Sequence, residues 1–240
     1  MLQWARSENC PWDETTCLCA ALGGHLEVLQ WARAHGCEWD SVTCESAAYR
    51  GHLEVLQWSR ANGAEWDERT TYFAASEGRL ECLQWAIAQD CPWGNRTCHG
   101  ALTNGHLNTV EWLVAHGCHW PSTANCPTAT SGHWHMYLCA AGGHLDVLRW
   151  ARANGCPWDS DVCAQAARGA HLEVLKWARC NGCSWDETTC CSAATVGRLD
   201  ILQWAREKGC PWDSSICAQA ALGGHFEVLK WARCNGCPWD

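Results

Sequence analysis

Tryptophan recurs at one fixed interval along nearly the whole chain. Within each half, one tryptophan follows another every 27 residues, and a second tryptophan lies eight residues after each of them. The first member of each pair is Trp4, Trp31, Trp58, Trp85, Trp112, Trp150, Trp177, Trp204 or Trp231. Self-similarity with a period of about 20 to 50 residues indicates an array of structural repeats. We therefore predict a solenoid in which each repeat packs on its neighbours.

Each repeat has the sequence signals of two short helices joined by a glycine turn. Asp40 is a good N-cap because its carboxylate can accept a hydrogen bond from a free amide of the first turn, so a first helix is expected over residues 41–49. Gly51 interrupts the chain, and the next segment, HLEVLQWSRAN, has apolar residues at helical spacing. Gly63 follows, where a residue with positive φ is wanted. The predicted unit is helix, tight turn, helix and short loop.

These residues resemble the ankyrin repeat. That family's Thr-Pro-Leu-His-x-Ala-Ala segment, Gly-His pair and aliphatic helix correspond here to TTCLCAALGGHLEVLQWARAHGC and its copies. The Ala-Ala pairs are Ala20-Ala21, Ala47-Ala48, Ala74-Ala75, Ala166-Ala167, Ala193-Ala194 and Ala220-Ala221, and the Gly-His pairs are Gly24-His25, Gly51-His52, Gly105-His106 and Gly224-His225. The resemblance covers essentially the whole chain. It implies an all-α, ankyrin-like helix-turn-helix solenoid.

The repeat is shorter than the usual ankyrin unit of about 33 residues. The six missing residues fall in the loop after the second helix, where the family has a projecting β-hairpin. We expect the CPWD segment to form a compact turn instead. The β-hairpins should be shortened or absent, with little or no strand in the protein.

The period breaks once, between Trp112 and Trp150, which are 38 residues apart. The intervening region looks like two repeats merged by a deletion. We therefore expect regular repeats over residues 1–120, an irregular seam over residues 121–143 and regular repeats over residues 144–240. These parts are predicted to form one continuous solenoid.

Composition argues against nucleic acid and membranes as partners. The net charge of -9 would repel a phosphate backbone, and no basic patch offsets it. No apolar run approaches the roughly 20 residues needed to span a bilayer, and no leader precedes the repeats. The expected compartment is cytoplasmic or nuclear.

The 21 cysteines follow the repeat register. The loop position holds Cys10, Cys37, Cys91, Cys118, Cys156, Cys183, Cys210 and Cys237, and a first-helix position holds Cys17, Cys44, Cys98, Cys163, Cys190 and Cys217. A small residue that buries well explains both positions, so we expect free, packed thiols. Disulfides are disfavoured, since stacked helices lie about 8 to 10 Å apart, too far for equivalent cysteines of neighbouring repeats to bridge.

Candidate metal ligands crowd around the seam. They are His116, Cys118, His119, Cys126, His133, His135, Cys139 and His144. Such residues could assemble a zinc site, but their spacing matches no zinc-finger pattern and several fit ordinary repeat positions. We therefore predict no metal and no cofactor, and keep zinc at the seam as the alternative.

No set of residues in the sequence points to an enzyme. The histidine of the Gly-His pair recurs at the start of the second helix, and Arg79 and Arg198 replace it without disturbing the pattern. This substitution favours a structural hydrogen-bonding bracket over a catalytic base. No nucleophile, base and orienting acid recur together, and no glycine-rich phosphate loop is present.

The repeated tryptophans are expected to lie in the core. Each indole can bury about 150 to 250 Å² when rings stack from one repeat to the next. The loop tryptophans should cover the gap left by the missing hairpin. If that row is exposed instead, it would be an interaction stripe.

Comparison of the repeats with one another separates constant from variable positions. Counted from each cap aspartate, offsets 2, 5 and 9 change freely and line one face of the first helix. The resemblance to ankyrin repeats implies that a protein partner binds this concave face. The predicted partner-binding residues are Leu22, Tyr49, Arg50, Arg69, Tyr72, Ser76, Glu77, Arg96, His99, Thr103, Asn104, Asp161, Arg168 and Thr195. A merely solvated face is the simpler alternative.

Two functions fit these features. The first is a non-enzymatic scaffold or adaptor that binds a protein partner through the variable face of the first helices. The second is a structural protein that assembles head to tail into filaments, because neither end carries a polar capping repeat.

Overall fold

The computed structural model describes residues 14–118 and 131–238, with the side chains of residues 131–135 left out. The chain divides into two compact units, Met1–His119 and Trp120–Asp240. All regular structure in the described residues is helical, which confirms the all-α prediction. The expectation that both parts form one continuous solenoid stays a prediction.

The helices of the first unit alternate between first and second helices of a repeat. They are α1 (Glu14–Leu22), α2 (Leu26–Ala34), α3 (Ser41–Arg50), α4 (Leu53–Ala61), α5 (Glu68–Ser76), α6 (Leu80–Ala88), α7 (Asn95–Thr103) and α8 (Leu107–Ala115). The expected first helix over residues 41–49 is thus confirmed as α3. Odd-numbered helices are first helices, and each packs on its own second helix; within this unit α1 also packs on α3, α3 on α5 and α5 on α7.

The second unit repeats the same pattern. Its helices are α9 (Ser131–Gly142), α10 (Leu145–Ala153), α11 (Ser160–Arg168), α12 (Leu172–Cys180), α13 (Glu187–Thr195), α14 (Leu199–Glu207), α15 (Ser215–Leu222) and α16 (Phe226–Cys234). The C-terminal part of the predicted seam is therefore a helix, α9, which leads into an ordinary second helix. Residues 119–130, the remainder of the irregular stretch, lie outside the described residues.

Aspartate caps begin the first helices, as the sequence predicts. The Asp40 carboxylate accepts a hydrogen bond of 3.0 Å from the amide of Val42, and Asp67, Asp159 and Asp186 make the same bond. Such a cap stabilises a helix by about 1 kcal/mol, because it satisfies an amide that has no partner within the helix. These short helices of eight to twelve residues depend on caps and packing rather than on intrinsic propensity.

The CPWD loop is a compact turn, and no strand occurs in the described parts of the chain. Gly63, at φ 88°, ends the second helix, and Arg60 Nη1 then donates to the carbonyl of Ala64 at 3.1 Å. The same arginine lies 4.6 Å from the centre of the Trp66 ring. One arginine therefore closes the loop that replaces the hairpin, and equivalent bonds recur at Arg33, Arg152, Arg179 and Arg206.

The described tryptophans are half-buried rather than in the core, contrary to the prediction. Trp66 and Trp85 are half-buried and meet edge to face with ring centres 5.6 Å apart, so each loop indole bridges to the second helix that follows it. The core consists of smaller side chains, chiefly Leu, Val, Ala and Cys. The physical reason is that first helices carrying Ala-Ala pack too closely to admit an indole, which stays at the outer edge.

Candidate functional site

Aromatic rings and arginines gather on the variable face of three consecutive first helices. We call this group the Tyr–Arg patch, and its members are Tyr49 and Arg50 of α3, Arg69, Tyr72 and Phe73 of α5, and Arg96 of α7. The Phe73 ring lies between the two tyrosines, with ring centres 6.0 Å from Tyr49 and 5.2 Å from Tyr72. The three rings form one edge-to-face cluster across neighbouring repeats.

Each arginine of the Tyr–Arg patch lies over a ring. The guanidinium of Arg50 is 5.4 Å from the centre of the Tyr49 ring, and that of Arg96 is 5.7 Å from the Tyr72 ring. Arg69 lies 5.9 Å from the Phe73 ring. Cation–π contacts of this kind contribute about 0.5–1 kcal/mol at exposed sites. They hold the three cationic groups in place while leaving all three arginines exposed to solvent.

A buried carboxylate orients the central arginine. Arg69 Nη2 is 3.1 Å from Oε2 of Glu45, whose side chain is only 3% exposed. Burial raises the pKa of Glu45, and the nearby Arg69 charge opposes that rise. The arrangement spans α3 and α5, so Glu45 positions Arg69 across the junction between two repeats.

Gly100 gives Tyr72 its position. A Cβ atom at Gly100 would lie 3.1 Å from Cε2 of Tyr72 and 3.2 Å from Cβ of Ser76, so a larger residue here would require Tyr72 or Ser76 to shift by a few tenths of an ångström. The Tyr72 ring therefore lies against α7 and is half-buried. This shallow, partly exposed aromatic surface is typical of a protein-binding site rather than of an enclosed active site.

The other predicted residues of the first unit lie around the Tyr–Arg patch. Leu22 is 36% exposed, and Glu77, His99 and Thr103 are half-buried. Asn104 is exposed but donates its amide to the carbonyl of Gly100 at 3.0 Å.

Ser76 differs from the prediction, because it is buried at 6% exposure. Its hydroxyl donates to the carbonyl of Phe73 at 3.1 Å. Its position behind the rings makes it a support of the Tyr–Arg patch rather than a contact surface.

The predicted residues of the second unit are more scattered. Asp161 and Arg168 are exposed at opposite ends of α11. Thr195 of α13 is half-buried and donates its hydroxyl to the carbonyl of Cys191 at 2.9 Å. These residues share a helix face but form no aromatic cluster among the described contacts.

Sequence reasoning missed Phe73 and underused Glu45. Phe73 occupies offset 6 from its cap, which reads Cys19, Ser46, Phe73, Gly100, Gln165, Ser192 and Gln219 in successive repeats. That variability equals the variability at the predicted offsets, so the signal was present. Glu45 varies too, but nothing in the sequence distinguishes a buried glutamate from a solvated one.

The recurring histidines are structural brackets, as the sequence predicts. His52 Nε2 lies 3.2 Å from the carbonyl of Leu22, thirty residues earlier, and His106 and His225 make equivalent bonds of 2.9 and 3.0 Å. Arg79 donates to the corresponding carbonyl, that of Tyr49, whereas Arg198 donates to the carbonyl of Ala170 in the turn. Each bracket satisfies a free carbonyl in or beside the last turn of the preceding repeat's first helix, and that role explains why histidine and arginine interchange.

One cysteine pair contradicts the prediction of free thiols throughout. Cys98 and Cys118 form a disulfide with Cα atoms 6.7 Å apart. The prediction also disfavoured disulfides within a repeat, but its distance argument applies only to equivalent cysteines of neighbouring repeats. This bond joins the first helix and the loop of a single repeat, where the chain folds back within bonding distance. The other described cysteines are free thiols.

The suggested zinc cluster does not assemble in the described residues. Cys118 is bonded to Cys98, and His116 Nδ1 lies 2.8 Å from the carbonyl of Trp112. No group of three or more metal-binding side chains occurs among the residues whose side chains are described. His119, Cys126, His133 and His135 lie outside that set.

In the described part of the chain, no helix has the length and apolar character needed to cross a membrane.

The paired helices and their bracketed stacking define a helical repeat protein. Residues 44–87 match the family model "Ankyrin repeats (many copies)". Among solved structures, the human ASB11 ankyrin repeat domain is similar, with a TM-score of 0.53 and 17% identity over 70% of this chain and 84% of that one. No curated protein matches the chain. Residues 44–87 therefore resemble ankyrin repeats, and the chain shares the ankyrin repeat fold.

Ankyrin repeats generally mediate protein–protein interaction, and the fold is typically a non-enzymatic scaffold. The short loop distinguishes this chain from the usual repeat, since a compact Arg–Trp turn stands where the family has a hairpin.

Proposed function

We propose that this chain is an adaptor that binds a protein segment through the Tyr–Arg patch. The observation that carries this proposal is the continuity of three rings and three arginines across α3, α5 and α7. Tyrosine and arginine dominate the binding energy of protein interfaces, because both offer large contact areas with polar ends. The remaining predicted residues would form the polar rim.

The charge of the patch suggests the chemistry of its partner. The chain as a whole has a net charge of -9, yet the patch presents three arginines around one buried carboxylate. The described contacts of Arg50 and Arg96 are with tyrosine rings rather than with carboxylates. A segment carrying acidic side chains beside aromatic or aliphatic ones would complement this surface. The acidic remainder of the chain makes nucleic acid an unfavourable ligand.

The compartment proposed for this function is the cytosol or the nucleus. Seventeen described cysteines are free thiols. Persistent free thiols suit a reducing compartment, where glutathione and thioredoxin systems keep them reduced.

The proposal is tested by selecting peptides from a random displayed library on the reduced full-length chain. We expect enrichment of sequences that combine acidic and aromatic residues. The double variant Arg50→Ala/Arg96→Ala should bind a selected peptide about tenfold more weakly or worse, because two exposed charge contacts together supply about 1–2 kcal/mol. Calorimetric titration measures the loss, and circular dichroism confirms that the helices remain.

A matched control removes the same charge elsewhere. Lys176→Ala/Lys208→Ala takes two exposed cations from the second unit, on α12 and just after α14, and should change the affinity less than twofold. Equal losses in both variants would show non-specific charge attraction and overturn the proposal. A selection that enriches no sequence would favour the alternative of a merely solvated face.

Sedimentation distinguishes the adaptor from the filament. The reduced adaptor should sediment as a single species of 26.6 kDa at all concentrations. Particles that grow with concentration would favour head-to-tail assembly instead.

A further inference from the structure

In five repeats, two cysteines lie twenty residues apart. Each has a cysteine in the first helix and another twenty residues later in the loop that follows the second helix. We call these the dithiol pairs: Cys17/Cys37, Cys98/Cys118, Cys163/Cys183, Cys190/Cys210 and Cys217/Cys237. All of these residues are buried except Cys118, which is half-buried.

The fold brings both members of each pair together. Cys98 and Cys118 are already joined by a disulfide. In the other four pairs the two cysteines occupy the same two positions of the repeat, and both are buried. The same two backbone positions are used in every case, so the geometry that permits one bond is present five times.

The loop thiols share a contact with the backbone. The thiol of Cys183 donates to the carbonyl of Asp159 at 3.1 Å, and Cys210 and Cys237 make the same contact, to Asp186 at 3.3 Å and Asp213 at 3.2 Å. The neighbouring Cys163 lowers the pKa of Cys183, whereas burial raises the pKa of Cys237 to about 12. Cys183 is therefore the loop thiol best placed to react as a thiolate.

We propose that the four dithiol pairs still in the thiol form are oxidation sites that close to within-repeat disulfides, completing a ladder begun by Cys98–Cys118. The oxidant is a low-molecular-weight disulfide. The loop thiolate attacks one of its sulfurs and releases one small thiol. The first-helix thiolate then attacks the mixed disulfide and releases the second. Two protein thiols become one disulfide, and one small disulfide becomes two thiols.

Two repeats of the same chain serve as internal controls. At these positions Cys44 faces Ala64, and Thr71 faces Cys91, so each repeat has only one of the two cysteines. Cys44, Ala64, Thr71 and Cys91 are all buried in the same way as the dithiol pairs. Burial at these positions thus accommodates a cysteine, an alanine or a threonine, which makes substitution possible without disrupting the repeat.

Oxidation would tighten some repeats and leave others unchanged. Each disulfide ties the loop to the first helix of its own repeat and so restricts unfolding of the helix pair between them. Two of the repeats without a dithiol pair contain α3 and α5, which supply most of the Tyr–Arg patch. The ladder is therefore a property of the scaffold that does not depend on the proposed partner.

Mass mapping of the full-length chain tests the ladder. Exposed thiols, including Cys19, Cys180 and Cys234, are first blocked under native conditions with iodoacetamide. The protein is then incubated with oxidised glutathione, denatured, treated with a second alkylating reagent and digested. We expect four new bonds to lower the mass of the protein by about 8 Da relative to the protein before oxidation. Cross-linked peptides should come only from the dithiol pairs.

Two variants make the result specific. Ala64→Cys completes a pair with Cys44 and should add one further cross-link, with a further loss of about 2 Da relative to its reduced form. Cys183→Ala introduces the residue that the repeat of α3 and α4 has at this position, Ala64, and should remove only the bond to Cys163.

The ladder is overturned if the dithiol pairs stay reduced or stop at mixed disulfides with glutathione while the protein remains folded. It is equally overturned if cross-links join cysteines of different repeats, or if Ala64→Cys gains no bond. Circular dichroism under the incubation conditions establishes the folded state, so that a failure to oxidise is not a failure to fold.

Discussion

A single buried hydroxyl shows how individual residues depart from the repeat. Ser59 of α4 is 0% exposed, and its hydroxyl has no hydrogen-bond partner. Most other second helices have alanine at this position, for example Ala32, Ala86 and Ala178, all fully buried. A polar group taken out of water without a partner destabilises the folded state, so serine is the unfavourable choice here.

We predict that Ser59→Ala stabilises the protein by about 1–3 kcal/mol, because it removes an unpaired buried hydroxyl and adds no cavity. Urea unfolding followed by circular dichroism measures the change. The reverse substitution at an equivalent position, Ala178→Ser, should destabilise by a similar amount. An Ser59→Ala variant that is less stable than the natural chain would show that the hydroxyl is bonded.

Glu45 predicts a pH dependence of stability. Burial raises its pKa above the ordinary 4.5, so the folded state holds the proton more tightly than the unfolded chain does. The free energy of unfolding should therefore fall as the pH rises from 4.5 through the raised pKa. Glu45→Gln, which does not titrate, should gain stability relative to the natural chain as the pH rises from 4.5 to neutrality.

The measurement is urea unfolding of both proteins at several pH values. Glu54→Gln, which removes an exposed carboxylate from α4, is the matched control for the change in net charge. A stability difference that shrinks with rising pH would mean that Arg69 outweighs the cost of burial.

At the scale of single residues, the sequence reveals which positions vary but not how deeply their side chains are buried. Tyr49, Tyr72 and Arg96 were identifiable because they vary between repeats and have side chains typical of interfaces. Ser76 varies as well, yet it is buried, because Gly100 on the next helix lets α7 approach α5 closely. The burial of a residue between two first helices depends on its neighbour in another repeat, which its own offset does not record.

At the scale of the secondary-structure elements, the brackets determine how one repeat joins the next. His106 donates to the carbonyl of Ser76, and its ring packs against Gly78. A Cβ atom at Gly78 would lie only 2.5 Å from His106 Nδ1. Gly78 has φ 66° and so meets two requirements at once, the left-handed turn and the close contact. The one alanine in an equivalent turn, Ala170 at φ 65°, is followed in the next repeat by Arg198 rather than by histidine.

We predict that His106→Ala destabilises the protein by about 1–2 kcal/mol, because the carbonyl of Ser76 loses its partner and the ring contact disappears. His106→Arg should cost less than about 0.5 kcal/mol, since arginine makes the equivalent bond at Arg79. The midpoint of urea unfolding compares the two variants. Equal losses for alanine and arginine would contradict the bracket.

The helices themselves could be predicted because their signals are local. Asp40 caps α3. Gly51 ends α3 and Gly63 ends α4, both at positive φ, and the short loop excludes a hairpin. The position of the tryptophans could not be predicted in the same way. Whether an indole enters the core depends on the spacing between helices, and the alanines of neighbouring first helices set that spacing too small for it.

At the scale of the whole molecule, the chain contains two compact units of similar size, Met1–His119 and Trp120–Asp240. The break in the tryptophan period predicts a discontinuity in the same region of the sequence. The period alone cannot fix the structure there, because the 38-residue interval fits no whole number of repeats. The candidate site lies entirely in the first unit, where the period is regular.

The distribution of function between the units follows from their sequences. The first unit has the three tyrosine- and phenylalanine-bearing positions that create a patch across α3, α5 and α7. The second unit has small or polar residues at the same offsets, such as Ala164, Gln165 and Cys191. We therefore expect the first unit to provide the main partner contact and the second to provide secondary ones.

Hydrogen–deuterium exchange of the full-length chain, with and without a peptide selected on it, tests the central claim most directly. The account predicts slower exchange in α3, α5 and α7 on binding, no change in α4 and α6, and loss of this protection in Arg50→Ala/Arg96→Ala. Protection confined to the second helices or to the Arg–Trp loops, or protection that survives in the variant, would contradict it.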